Sequence, residues 1–344
     1  TNYLVSGSTI GHNYHGILLF ESSGITVLNV TVATSYYAVE ALYTINSSIR
    51  NSRFDGGYFG LLIEYAVNFL LQGNTVNGSN YGVYLQGGRN VTLDTTVVNA
   101  SLYTGLSLWY TDASYLTSNR VTNTTFGGVE IGYSSGVTFY SNNLTGNRYG
   151  LLLSGNGTSP LTASYPLRNL VIQGSISAGL YVDDVAVSLY NSTITSPFGV
   201  DLSVRQARID AYGTTVGYGE GEVRGSGSIH VWWNLSFRVL WQSGAPVPSP
   251  SIQMNGSTGA EYGQKVANVT GRVAPFLAEE WAMADASRLL WSPYTFTAFK
   301  AGEEGSNTTA LDRDKEVWIF IQDRHPPSLS IDRPTDGAIY NRSF

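Results

Sequence analysis

Apolar residues along this chain fall in short alternating runs that return about every 22 residues. The same run follows a small residue each time: Gly16-Ile17-Leu18-Leu19, Gly60-Leu61-Leu62-Ile63, Gly82-Val83-Tyr84-Leu85 and Gly150-Leu151-Leu152-Leu153. The small residue recurs at Gly16, Gly60, Gly82, Gly105, Gly128, Gly150, Gly179 and Gly199, with Ala38 in the second slot. A second apolar anchor keeps the period at Val32, Phe54, Val76, Val98, Val121 and Leu144, and is continued at Ile176 and Ile194. Alternating segments such as Ile25-Thr26-Val27 and Val91-Thr92-Leu93 precede it. Period-two alternation over a few residues predicts strands, and the Gly, Asn, Ser and Thr between them predict turns. A fixed period of this length marks a solenoid.

One coil cannot bury its own apolar side chains, so coils must stack into a continuous core. The first residue after each glycine gives an inward column of Ile17, Val39, Leu61, Val83, Leu106, Val129, Leu151, Leu180 and Val200. The third gives Leu19, Ala41, Ile63, Leu85, Leu108, Ile131, Leu153, Val182 and Leu202. The glycine suits either a positive-φ corner or a close backbone approach. Leucine-rich repeats share the period, but their L-x-x-L-x-L spacing is absent.

Segments such as Val67-Asn68-Phe69-Leu70-Leu71-Gln72-Gly73-Asn74-Thr75-Val76, followed by Asn80-Tyr81-Gly82-Val83, resemble the right-handed parallel β-helix repeats of NosD-like and pectate-lyase-like proteins. The resemblance covers residues 1–228 and implies an all-β fold: a right-handed parallel β-helix of about nine to ten coils. A long aromatic alternating stretch, Ile229 to Trp241, follows a glycine-rich transition and leads to the turn Gly244-Ala245-Pro246-Val247-Pro248. Further strands are expected at Tyr294–Phe299 and Val317–Gln322, and residues 277–290 are ambiguous and compatible with a short helix. Residues 229–323 resemble carboxypeptidase-regulatory-like, transthyretin-like or Ig-like β-sandwiches. Residues 324–344 read as a linker with the first strand of a further domain, or as an exchanged tail.

Charged residues make up 13% of the chain and the net charge is −6, which disfavours nucleic acid as a partner. The chain has no cysteine, and no apolar run is long enough to cross a bilayer. N-x-S/T sequons occur at Asn29, Asn46, Asn77, Asn90, Asn99, Asn123, Asn143, Asn156, Asn191, Asn234, Asn255, Asn268, Asn307 and Asn341. That excess is expected of a protein carrying N-linked glycans at an extracellular surface, and its pairing with zero cysteines resembles archaeal surface proteins. β-Helix turns also favour Asn, Ser and Thr, which is the competing explanation.

Candidate chemistry lies in the outward columns. Glu40 and Glu64 sit on adjacent coils and form the best carboxylate pair for cleaving a polysaccharide, with Tyr84 and Trp109 placed to stack on sugar rings. Asp183 and Asp201 are a second possible pair. No lysine or arginine falls in these columns as aligned on the glycines. The other reading takes Leu18, Phe20, Leu42, Leu62, Tyr84, Trp109 and Tyr181 as a contact surface for copies of this chain or other surface proteins. This reading is the favoured expectation: a non-catalytic structural protein such as an S-layer, sheath or filament subunit or an adhesive stalk. The alternative is a polysaccharide-binding or polysaccharide-cleaving β-helix, a lyase or glycoside hydrolase. No cofactor or metal is expected: His12 and His15 lie on a turn, and Met254 and Met283 are the only methionines.

Overall fold

The computed structural model describes residues 3–33, 35–155, 164–217, 221–285 and 287–324. Every regular element in them is a strand. All coils but the last give one strand to each of three sheets of parallel strands. Strands such as Val67–Gln72 build the first sheet, Thr75–Asn77 the second and Tyr81–Gln86 the third. The third sheet holds ten strands, so the solenoid makes about ten turns. In-register pairing reproduces the period read from the sequence: Leu61 faces Val83, and Val83 faces Leu106.

The inward columns are dry. Leu61, Val83, Leu106, Val129, Leu151 and Leu180 are fully buried, and so are Phe54, Phe69 and Phe139 from the other two sheets. The sequence alignment slips twice. Leu144 pairs with Ile172, not with Ile176, which is exposed. In the last glycine-aligned coil, Leu180 pairs with Leu202 and Val182 with Val204. Gly179 therefore faces Asp201, and Gly199 lies outside the glycine column. The coil lengths change there, so counting from the nearest glycine lost the register.

The recurrent glycine is explained by contact, not by dihedral angle. A Cβ on Gly82 would lie 2.4 Å from both Gly105 O and Val98 Cγ1, and one on Gly60 would lie 2.3 Å from Val76 Cγ1. Left-handed residues sit instead at the corners, as at Asn29, Asn51, Asn169 and Asn191 between the first and second sheets. Asparagine tolerates this region better than most side chains. Just inside this corner the sheet ladder is interrupted, and buried side chains bond the backbone in its place. Asn74 Oδ1 accepts from Ser52 N at 3.1 Å, and Asn119 Oδ1 accepts from Thr96 N at 2.9 Å.

The solenoid and the C-terminal unit share a strand. Ser228–Trp241 runs parallel to Arg208–Tyr212 of the last coil through its first residues, then parallel to Lys315–Ile321. Its other edge pairs antiparallel with Arg272–Ala284. A second layer of antiparallel strands, Ser251–Asn255, Glu261–Val266, Tyr294–Lys300 and Glu303–Thr309, packs against it, an arrangement consistent with a β-sandwich. Phe237 and Phe296 meet edge-to-face across the layers at 4.9 Å, beside buried Trp281, Tyr294 and Ile319.

Among the described residues the region 277–290 contains no helix: it holds the end of the strand Arg272–Ala284 and the strand Ser287–Leu290. A register irregularity opposite Val231 and Trp232 buries both Ala278 and Glu279, which masks the alternation in the sequence. The buried Glu279 is satisfied by His230 Nδ1 at 2.7 Å and by Trp291 Nε1 at 3.0 Å. The expected tail strand lies outside the described residues.

Candidate binding groove on the third sheet

In-register strands stack identical positions of successive coils about 4.8 Å apart, so a recurring aromatic becomes a ladder. The residue before each glycine does this. His15, Tyr37, Phe59 and Tyr81 stack with ring centroids 5.2, 5.5 and 5.2 Å apart. One position earlier, Tyr14, Tyr36 and Tyr58 stack at 5.1 and 5.2 Å. Both faces of an inner ring are then occupied, and the ladder offers only edges to solvent. Tyr37 is deep enough in this stack that burial, with the neighbouring Tyr14, pushes its phenol up to about 12.

The ladder stops where Thr104 and Gly127 take the ring positions. A groove of about 450 Å³ opens there, within the range of ligand clefts. Buried Thr104 and Ser107 form its floor. Tyr81, Tyr84 and Tyr103 rise on one side, and Phe126 and Glu130 on the other. Ser107 lies between Tyr84 and Glu130 on paired strands. Trp109 closes one end; its Nε1 donates to Ser107 Oγ at 2.9 Å, and its ring lies over Gly132.

Glu130 is the one carboxyl group in this lining. Burial raises its pKa, partly offset by a 3.3 Å hydrogen bond donated by Thr104 Oγ1. Burial also raises Tyr84, with smaller contributions from the charges of Glu64 and Glu130. The groove thus combines aromatic rings, phenol groups, two hydroxyl groups and one poorly solvated carboxyl.

The predicted residues are dispersed around it. Tyr84 and Trp109 line the groove. Glu40 lies outside it with its Oε2 2.7 Å from His15 Nδ1. Glu64 is near enough to Glu40 that the latter's charge adds to burial in raising its pKa. Neither carboxylate is among the groove residues. Asp183 and Asp201 are not a pair: Asp183 binds Arg205, whereas buried Asp201 accepts from the backbone of Ser196 and Gly217 at 2.6 and 3.0 Å. Arg205 itself occupies an outward column once the register is corrected, as the partner of Asp183. The expected apolar patch is broken: Leu18 and Phe20 are exposed at 52% and 54%, Leu42 is half-buried and Leu62 is buried. Tyr181 is half-buried two coils beyond Glu130, edge-to-face with Tyr149 at 6.3 Å. The sequence reading missed Tyr81, Tyr103, Thr104, Ser107, Phe126 and Glu130. Their signal is present in the column before the glycine, where aromatics give way to threonine and glycine.

Among the sequon asparagines, Asn29, Asn46, Asn90, Asn123, Asn143, Asn191, Asn234 and Asn268 are exposed, and Asn77, Asn99, Asn255 and Asn307 are half-buried. Asn156 and Asn341 lie outside the described residues. Asn307 donates its amide to Trp318 O at 2.8 Å, and Asn234 donates to Asp314 at 3.1 Å. Asn46 and Asn90 belong to a side-chain ladder through Asn68, a structural reason for asparagine at those corners.

The sequence model of a family described as "Periplasmic copper-binding protein (NosD)" matches residues 1–185. Among solved structures, a mutant of the periplasmic alginate epimerase AlgG is similar at 12% identity and a TM-score of 0.50, over 60% of this chain and 58% of its own. This chain therefore spans little more than half of that protein. The A-module of the Azotobacter vinelandii mannuronan C-5 epimerase AlgE6 is similar at 13% identity and a TM-score of 0.42, over 65% and 85% of the two chains. PfbA, a surface adhesin of Streptococcus pneumoniae, is similar at 12% identity and a TM-score of 0.36, over 72% and 69%. No curated protein sequence matches. At 12% identity the likeness to the alginate epimerase shows the fold alone, and a fold by itself names no activity.

The family's name implies copper, and the residues do not fit it. No group of three or more His, Cys, Asp or Glu among the described residues could hold a metal ion. Within residues 1–185 the histidines are His12 and His15, and there is neither cysteine nor methionine. Met254 and Met283 are buried in the C-terminal core.

Proposed function

This chain belongs to the NosD family, and we propose that it is a non-catalytic polysaccharide-binding protein of the cell envelope, holding a glycan chain in the groove at Trp109 and Glu130. The observation that carries this reading is the break in the aromatic ladder. There Tyr84, Trp109 and Phe126 line a hollow beside hydroxyl groups and a carboxyl, the combination that takes the C–H face and the hydroxyl edge of a sugar. Hydrolysis of a glycosidic bond calls for two carboxyl groups flanking it, and the groove lining supplies one. A periplasmic or cell-surface location fits the family's description and the sequons. The exposed asparagines, Asn29, Asn143 and Asn191 among them, are the sites proposed to carry N-linked glycans.

Affinity electrophoresis through gels containing soluble polysaccharides tests the reading. The protein is expected to be retarded by at least one of them, and Trp109→Ala and Tyr84→Ala to run unretarded. Free migration of the wild type in every gel overturns it.

Assembly remains a second reading on one observation. Leu18 and Phe20 stay exposed on the strand His15–Phe20. Charged replacements at Leu18 and Phe20 are expected to abolish any self-association seen by sedimentation; association that survives them would remove this surface from consideration.

A further inference from the structure

Resting on the glycan-binding reading of this groove, we infer that its ligand is an uncharged polysaccharide and that polyuronates are excluded. The inference comes from which charges on the third sheet's outer face are compensated. Asp183 has Arg205 and Glu222 has Arg224 at 2.7 Å, whereas Glu40 has the imidazole of His15, a cation only when protonated. Among the described residues, no lysine or arginine pairs with Glu64 or Glu130. The cation at the groove's edge is Arg148, on the coil after Phe126. It is not among the groove residues: its Nε donates to Ser177 Oγ at 3.3 Å on the following coil, and its guanidinium lies 5.8 Å from the Tyr149 ring centroid.

A polyuronate carries a carboxylate on every sugar. Any residue seated between Tyr84 and Trp109 would bring that charge beside Glu130, where no cation meets it. Burial already disfavours the anionic form of Glu130, and a second anion in the same poorly solvated space adds like-charge repulsion. A neutral sugar avoids this cost. Its hydroxyls can donate to Glu130 and exchange hydrogen bonds with Ser107 and Tyr84, while its C–H face lies on the indole.

Isothermal titration at neutral pH and low ionic strength decides the matter. The probes are mannohexaose, cellohexaose and laminarihexaose against the hexamers of mannuronate and galacturonate. At least one neutral hexasaccharide is expected to bind, and the uronate hexamers to bind about tenfold more weakly or worse. Glu130→Gln is expected to narrow that gap by improving uronate binding. A uronate hexamer binding as tightly as the best neutral one overturns this inference and leaves the glycan-binding reading standing. If nothing binds, or if Trp109→Ala leaves binding unchanged, the groove reading fails and takes the inference with it.

Discussion

The indole of Trp109 lies over Gly132 on the next coil, so closely that a Cβ at position 132 would fall 2.3 Å from Trp109 Cζ3. The glycine is a seat for the ring, and the ring closes the groove. Gly132→Val is therefore expected to displace the indole while the inward Ile131 and Val129 stay packed. Glycan affinity should fall by about thirtyfold, the ~2 kcal/mol of a lost aromatic anchor. Titration with the best-binding hexasaccharide, alongside tryptophan fluorescence, checks both halves. An unmoved emission spectrum with unchanged affinity would contradict the arrangement.

Two glycines separate steric from conformational need. Gly82 has ordinary φ but no room for a methyl group, while Gly78 has φ near +63° and nothing within 4 Å. Gly82→Ala is expected to cost about 2–3 kcal/mol through overpacking, and Gly78→Ala about 1–2 kcal/mol through its left-handed backbone. Urea denaturation of the two variants ranks them, and equal costs would refute the distinction.

Asn119 tests the buried polar ladder. Its Oδ1 accepts from Thr96 N at 2.9 Å, and its Nδ2 donates to Leu93 O at 2.9 Å and Asn142 Oδ1 at 3.0 Å. Asn119→Ala strands several buried groups in the middle of the solenoid. A loss of about 2–4 kcal/mol is expected, as each unpaired buried group costs about 1–3 kcal/mol. A conservative change at an exposed asparagine such as Asn143 should be nearly neutral in the same denaturation assay.

Glu130 gives a pH signature. Its folded pKa lies above the ordinary 4.5, so the folded state binds its proton more tightly than the unfolded chain does. The linked stability is fully present below 4.5 and is lost as pH rises through the folded value. Glu130→Gln removes this loss, and its denaturation midpoint is expected to exceed that of the wild type at pH 7 and to approach it at pH 4. A midpoint difference independent of pH would show that the carboxyl is not burial-shifted.

Glycan occupancy should follow the geometry of the asparagine amides. Mass spectrometry of the natively expressed protein is expected to find modification at exposed Asn29, Asn143 and Asn191. Asn307, whose amide is bonded to Trp318 O, should be unmodified. Full occupancy at Asn307 would count against the present packing of that strand pair.

The sequence by itself determined the repeat, its short strands and turns, and most of the inward columns, because a stacked parallel sheet writes its core as a fixed period; that a coil holds three strands was decided by the structure. It also marked Tyr84 and Trp109 as outward aromatics. What it did not determine was register across coils of unequal length: Ile176, Gly199 and Asp201 were misplaced because nothing local distinguishes a drifted glycine from one in the column. It left the glycine's role open between a turn and a close contact, and only the neighbouring coil decided for contact. The column before the glycine carries a trace of the groove, but its shape is tertiary. Thr104, Ser107 and Gly127 are unremarkable singly, and they form a hollow only because stacking sets them between Tyr81, Tyr84, Phe126 and Glu130. The pairing of Glu40 with His15 and the burial of Asp201 arise in the same way, since the charge a side chain faces depends on the coil beside it.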